Sequence, residues 1–291
     1  MAARPCPYCR ALNSDGEARC IRCGRRLPGR FGGELFRLGR EALGVEAPLT
    51  QLFVYLELAV FALCVVTDPR YFVHSISDNI VSGDIVRAFL ANFRTSTLIR
   101  FGALGGSLGA HEPWRMLSAV FVHMGILHVV MNLYTFVDLG HLLERTLGST
   151  RFAVLFVLAG LLGFLASEVW YGFEGPPTAG ASGGVFGLIG AWVGILYARR
   201  DPEWRRALVR YLVFAVLLGL ALPVNTPAHL GGFFAGGVLG FLLDREQARL
   251  RLRRTMQVLA GICLLASVAS VALSARSPAW QYLRAYEAQR E

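Results

Sequence analysis

Gly180-Ala181-Ser182-Gly183-Gly184-Val185-Phe186-Gly187-Leu188-Ile189-Gly190-Ala191-Trp192 opens an apolar run that continues to Ala198. A second run opens with Ala228-His229 and continues to Leu243. A nucleophile and a candidate base therefore stand at the heads of two membrane-length segments. A hydroxyl and an imidazole at bilayer depth are costly and usually functional. The pairing points to hydrolysis inside a membrane.

Working outward, the 291 residues are 54% hydrophobic. The apolar residues gather into uninterrupted stretches, so the composition predicts an all-α polytopic membrane protein. Seven spans are expected, at about Gln51–Val66, Ile126–Leu143, Phe152–Tyr171, Gly183–Ala198, Ala207–Pro223, His229–Leu243 and Thr255–Ser274. The fifth and sixth are short, which tilt, local thinning or burial in the bundle accommodates. The first residues, Met1 to Cys6, hold no apolar stretch resembling a signal peptide, so insertion is expected to use the internal spans.

The formal charge of +9 comes wholly from arginine, since the sequence has no lysine. Nucleic-acid binding is a tempting reading, but the distribution argues against it. Nine arginines fall in residues 1–48, two near 144–151, five in 199–210 and five in 244–254, so 21 of 29 lie on alternate connections. That is the asymmetry of cytoplasmic loops. It puts the N-terminus in the cytoplasm and Ser182 and His229 toward the outer face. The lysine-free composition fits a GC-rich genome and hence a bacterial cytoplasmic membrane.

Cys64 and Cys263 sit singly in apolar spans and read as small hydrophobes. The other four cysteines form two knuckles, Cys6-Pro7-Tyr8-Cys9 and Cys20-Ile21-Arg22-Cys23. Four thiolates at this spacing suit a tetrahedral zinc ion, and a reducing cytoplasm disfavours disulfides. Residues 1–27 are therefore expected to form a zinc ribbon whose metal supplies the folding free energy. A saturated site is structural, so the module is a cap or a docking point for a cytoplasmic protein. Residues 28–48 form a linker in which Leu35, Phe36, Leu38, Ala42 and Leu43 suggest a short interfacial helix.

The second, fourth and sixth spans run in one direction, so their first turns share one depth. Those turns bring together His123, His128, Ser182 and His229 by topology alone. Asn132 follows His128 by four residues, on the same helical face about 6 Å further along the axis. An imidazole and an amide so spaced suit a developing oxyanion. Gly183, Gly187 and Gly190 on one span, with Gly231, Gly232, Gly236, Gly237 and Gly240 on another, permit close helix approach. Ser182 at a helix start also has free amides and the positive dipole end beside it. Glu168 beside Trp170 and Tyr171 reads as an interfacial, snorkelling carboxylate.

Taken together, Gly102-Ala103-Leu104, Trp114-Arg115, His123-x4-His128-x3-Asn132, Gly180-x-Ser182-Gly183 and Ala228-His229-x-x-Gly232-x3-Gly236 resemble the rhomboid intramembrane serine proteases. The resemblance implies a six-helix bundle over residues 49–244, with Ser182 as nucleophile and His229 as general base. His128, Asn132 and the Ser182 amide would line the oxyanion hole. Phe186 would pack against the base, Trp114 and Arg115 would belong to a long first loop forming a hairpin partly embedded in the outer leaflet, and Glu144 resembles a structural carboxylate. Catalysis would need no metal, and the substrates would be transmembrane segments of other proteins. Residues 245–275 add a basic loop and a seventh transmembrane helix, and 276–291 form a tail. Two rivals remain. A non-catalytic rhomboid-like scaffold would bind transmembrane clients. A metal-linked transporter using His123, His128 and His229 would need intramembrane carboxylates, of which only Asp138 and peripheral glutamates present themselves.

Overall fold

The computed structural model describes residues 3–5, 11–14, 17, 19–22, 47–84, 88, 92–221, 224–249 and 252–290. The chain divides into two compact units, Met1–Pro48 and Leu49–Glu291. In the first, β1 (Ala3–Pro5) and β2 (Leu12–Ser14) form an antiparallel pair with Arg4 opposite Asn13. The interfacial helix expected within 28–48 falls almost wholly outside the described residues.

The second unit is helical. Its elements are α1 (Pro48–Thr67), α2 (Pro69–Val81), α3 (Thr95–Phe101), α4 (Leu108–His111), α5 (Arg115–Ser118), α6 (Ile126–Leu147), α7 (Ser149–Trp170), α8 (Ser182–Ala198), α9 (Glu203–Ala221), α10 (Thr226–Arg249), α11 (Arg253–Arg276) and α12 (Ala279–Ala288). Among the described residues, every segment expected to span forms a helix. By length and composition, α1, α6, α7, α10 and α11 are long and apolar enough to cross a membrane. The helix α8 is apolar but 17 residues long. The first half of α9 carries Arg205, Arg206 and Arg210, which lowers its apolarity.

Two packing devices hold the bundle. Phe53 of α1 lies at the centre of an aromatic cluster, 5.0 Å from Phe156 and 6.2 Å from both Phe121 and Phe136. All four rings are at most 2% exposed, so their large apolar area lies inside the unit. Glycine supplies the second device. A Cβ at Gly232 or Gly236 of α10 would overlap the carbonyl of Gly183 or Gly187 on α8. The two backbones touch directly, as small residues permit in membrane helices. Without that approach the heads of α8 and α10 could not meet.

Polar anchors tie both ends of the unit. At one end, Glu144 of α6 accepts hydrogen bonds from the amides of Leu49 (3.1 Å) and Thr50 (2.8 Å) and from Thr50 Oγ1 (2.8 Å). These are first-turn donors of α1, which have no intrahelical carbonyl, and a carboxylate suits the positive dipole end. At the other end, buried Arg115 donates to Glu112 (2.6 Å), to the Ile99 carbonyl (2.5 Å) and to the Ala103 carbonyl (3.2 Å). It folds the long first loop onto itself. The last two helices clamp the same loop. Ser277 donates to Glu112 (2.6 Å), Ser96 donates to Glu287 (2.5 Å) and Arg284 donates to Asp68 (2.6 Å). The segment expected to be a plain tail is thus a helix docked on α3.

Candidate active site

The first turns of α8 and α10 meet through side chains. Ser182 Oγ and His229 Nε2 lie 2.8 Å apart, within hydrogen-bond reach. Phe186, one turn after Ser182, stacks on the imidazole with centroids 4.3 Å apart and planes 9° from parallel. That contact leaves the ring little freedom to turn away from the hydroxyl. His229 is 6% exposed and lines a cavity.

The turn before Ser182 is built for exposure of its hydroxyl. Gly180 has φ +134°, a region L side chains rarely adopt. Its amide donates to the Ala119 carbonyl (2.8 Å), which fixes the turn against the first loop. A Cβ at Gly180 would come within 2.7 Å of His128 Nε2. Glycine here leaves room for the imidazole beside the nucleophile.

His128 sits with its Nδ1 accepting from the Met124 amide at 3.4 Å. That bond assigns the proton to Nε2, the atom facing Gly180 and the Ser182 turn. Asn132, on the same face of α6, donates one amide hydrogen to the His128 carbonyl (2.8 Å) and keeps the other for the cavity. Met124, His128, Asn132, Ser182, Phe186 and His229 all line one cavity of about 210 Å³. The four residues singled out for catalysis from the sequence are therefore brought together. His123 is not among the lining residues: it is fully buried, its ring 5.2 Å from that of His128.

Three features escaped the sequence reading. Asn225 donates to Ser167 Oγ (2.7 Å) and Thr178 Oγ1 (3.0 Å) and accepts from the Ala228 amide (3.1 Å). It therefore caps the first turn of α10 and ties it to α7 and to the strand-like bridge at Thr178. An asparagine ahead of an apolar run was a readable cap signal. Glu168 is 2% exposed and packs on Gly109 of α4, so it is a buried carboxylate and not the snorkelling residue expected beside Trp170. Packing of the first loop over the end of α7 removes it from the interface. Finally, α1 carries Glu57, fully buried in mid-helix, where only Asp138 had been counted as an intramembrane acid. Asp138 itself is exposed on α6.

Apolar helices of bilayer length around a part-buried Ser–His contact define an integral, multi-pass helical membrane protein. Residues 110–246 match the sequence model of the Rhomboid domain. Over 155 residues the chain is 36% identical to Rhomboid protease GluP of Bacillus subtilis, a match covering 50% of this chain and 30% of that protein. It is 33% identical over 156 residues to RHOMBOID-like protein 7 of Arabidopsis thaliana, covering 51% of this chain and 49% of the relative. Rhomboid-type serine protease 2 of Emericella nidulans is 32% identical over 158 residues, 51% of this chain and 31% of that protein. The chain thus spans between about a third and a half of the length of these relatives.

Proposed function

We propose that this chain is a serine endopeptidase that cleaves transmembrane segments of other membrane proteins within the bilayer. The observation that carries this reading is the 2.8 Å contact between Ser182 Oγ and His229 Nε2 in the lining of a cavity. His229 takes the hydroxyl proton as Ser182 Oγ attacks the scissile carbonyl, then returns it to the leaving amine. Water entering the cavity hydrolyses the acyl-enzyme with the same imidazole as base. The oxyanion is held by the Ser182 amide, which has no partner within its helix, by His128 Nε2–H and by the second amide hydrogen of Asn132. Phe186 keeps the base in place.

A scaffold that merely binds transmembrane clients would need no hydroxyl–imidazole contact and no donors grouped around it. The test is cleavage of a transmembrane substrate by the purified chain in liposomes. Cuts inside the transmembrane segment are expected; an intact substrate, with the chain folded and substrate co-reconstituted, would contradict the reading.

The reading extends to the topology. Six helices, α1 and α6 to α10, form the core, and α11 adds a seventh crossing. The arginine asymmetry supports a cytoplasmic N-terminus with the site toward the opposite face, and the lysine-free composition supports a bacterial membrane.

For the N-terminal unit we propose a structural zinc ion bound by Cys6, Cys9, Cys20 and Cys23, and docking of this module on a cytoplasmic protein. Cys6, Cys9 and Cys23 lie outside the described residues. Two observations support the fit. Cys20 is 3% exposed, and its Sγ accepts from the Arg22 amide at 3.4 Å, a donor that suits a thiolate. The Ile21 amide donates to Asn13 Oδ1 (2.8 Å), joining the second knuckle to β2. Metal analysis of the purified full-length chain is expected to find one zinc per chain, lost in Cys20→Ser. Full zinc content in that variant would contradict the assignment.

A further inference from the structure

Both amides of the dipeptide that carries the proposed base end on one residue. The His229 amide donates to the Asn225 carbonyl (3.1 Å), and the Ala228 amide donates to Asn225 Oδ1 (3.1 Å). The second bond settles which way the side-chain amide faces, because only its oxygen can accept. Its nitrogen then has two hydrogens to give, and both are placed. One goes to Ser167 Oγ of α7 (2.7 Å) and the other to Thr178 Oγ1 (3.0 Å). Neither is left for a substrate, although Asn225 and Thr178 both line the cavity.

Thr178 precedes Ser182 by four residues, just as Asn225 precedes His229. The partners in each pair are 47 positions apart, so Asn225–Thr178 and His229–Ser182 are successive rungs between the same two segments. The Thr178 segment is itself fixed. Thr178 exchanges both backbone hydrogen bonds with Leu104 (2.9 and 3.0 Å), and the Gly180 amide donates to the Ala119 carbonyl (2.8 Å). Further along both segments, a Cβ on Gly232 of α10 would overlap the Gly183 carbonyl of α8. The 2.8 Å contact between Ser182 and His229 is thus flanked by two fasteners, one polar and one of bare backbone. With the glycine contact alone, the first turn of α10 could splay away from the nucleophile. The amide closes that open end.

We propose that Asn225 is a positioning residue: its side-chain amide sets the distance between the segment leading to Ser182 and the turn carrying His229. It so holds hydroxyl and imidazole within reach before any substrate arrives. Placing reacting groups in advance lowers the barrier without tightening binding. The amide acts through Ser182 and His229, so its loss falls on kcat. Ser167 serves a different purpose. It steadies the amide from α7 and joins neither of the two segments to the other.

This inference rests on the protease reading of Ser182, so its test carries one readout independent of cleavage. In liposomes, Thr178→Val is expected to lower kcat about tenfold, the worth of one ordinary hydrogen bond. Valine keeps the shape that the side chain presents to the cavity, so KM should not change. Thr178→Ser keeps the hydroxyl and should stay close to wild type. Ser167→Ala removes one hydrogen bond from the same amide but leaves the rung, and should also stay close to wild type. Equal losses in Thr178→Val and Ser167→Ala would mark the amide as merely structural and overturn the proposal. Wild-type kcat in Thr178→Val, or Thr178→Ser as impaired as Thr178→Val, would overturn it too. Hydrogen–deuterium exchange of the full chain supplies the independent readout. The Ala228 amide should exchange slowly in wild type and in Thr178→Ser, and faster in Thr178→Val. Exchange at Ala228 that is indifferent to Thr178→Val overturns the rung whether or not the chain cleaves anything. A chain that shows this exchange pattern and cleaves nothing counts instead against the protease reading.

Discussion

Ser182→Ala and His229→Ala are each expected to lower kcat for cleavage of a transmembrane substrate on the order of 10⁴-fold or more. The two losses should not add when combined, because nucleophile and base act as one unit across a 2.8 Å contact. Neither change should unfold the bundle. The close approach of α8 and α10 is made along their length by glycine backbones, so it does not depend on the one Ser182–His229 hydrogen bond. Thermal unfolding of the variants should therefore stay close to wild type while turnover is lost. A variant that keeps its turnover, or one that loses it only by unfolding, would separate activity from this pair.

The second large effect is expected at Gly236. A valine there must push its Cβ into the Gly187 carbonyl, and backbone cannot yield as a flexible side chain can. Forcing α8 and α10 apart costs roughly 1–3 kcal/mol or more in an overpacked interface. It also separates Ser182 from His229, and misplacement by about 1 Å costs roughly 10²-fold in rate. Gly236→Val should thus lose both stability and activity. Gly237→Ala provides the contrast on the same helix, because its Cβ would meet the Gly190 carbonyl at 3.6 Å, an ordinary contact. Alanine is also the better helix former, by about 1 kcal/mol in an exposed helix. Gly237→Ala should therefore equal or exceed wild-type stability with activity retained. Thermal unfolding and initial cleavage rates, measured side by side, decide both. Equal effects of the two substitutions would show that the glycine contacts do not set the helix separation.

What could be read from the sequence followed from local spacing. Ser182 and His229 stand out because each begins a long apolar run, and a polar side chain at such a position has few ordinary explanations. His128 and Asn132 were legible because four residues on a helix return to the same face. The glycines of α8 and α10 announced close packing, and Gly232 and Gly236 deliver it. Contacts remote in sequence were not legible. Glu287 meets Ser96 across 191 positions, and no local pattern distinguishes the short amphipathic helix α12 from a solvated tail. Glu168 was misread because its neighbours Trp170 and Tyr171 are exposed, while the loop that buries it is more than 50 residues upstream. Glu57 was passed over for a related reason. One carboxyl within an apolar run looks like a tolerated defect until the fold sets His123 beside it.

The cavity also rationalises the division of labour among the histidines. His229 is held by an aromatic face and touches the hydroxyl, the arrangement the proposed mechanism asks of its proton carrier. His128 is fixed by the Met124 amide with its other nitrogen beside Ser182, as the proposed oxyanion donor should be. His123 lies behind both and accepts the Ala181 amide. Three imidazoles within one region thus differ in their hydrogen-bond partners, and the roles proposed for His229 and His128 follow those partners.

The contact between Ser182 and His229 is tested most directly by covalent labelling of the purified chain with a fluorophosphonate, which reacts with an activated serine hydroxyl. Wild type should be labelled on the peptide containing Ser182, and both Ser182→Ala and His229→Ala should remain unlabelled. Undiminished labelling of Ser182 in His229→Ala, or of another residue in Ser182→Ala, would contradict the account.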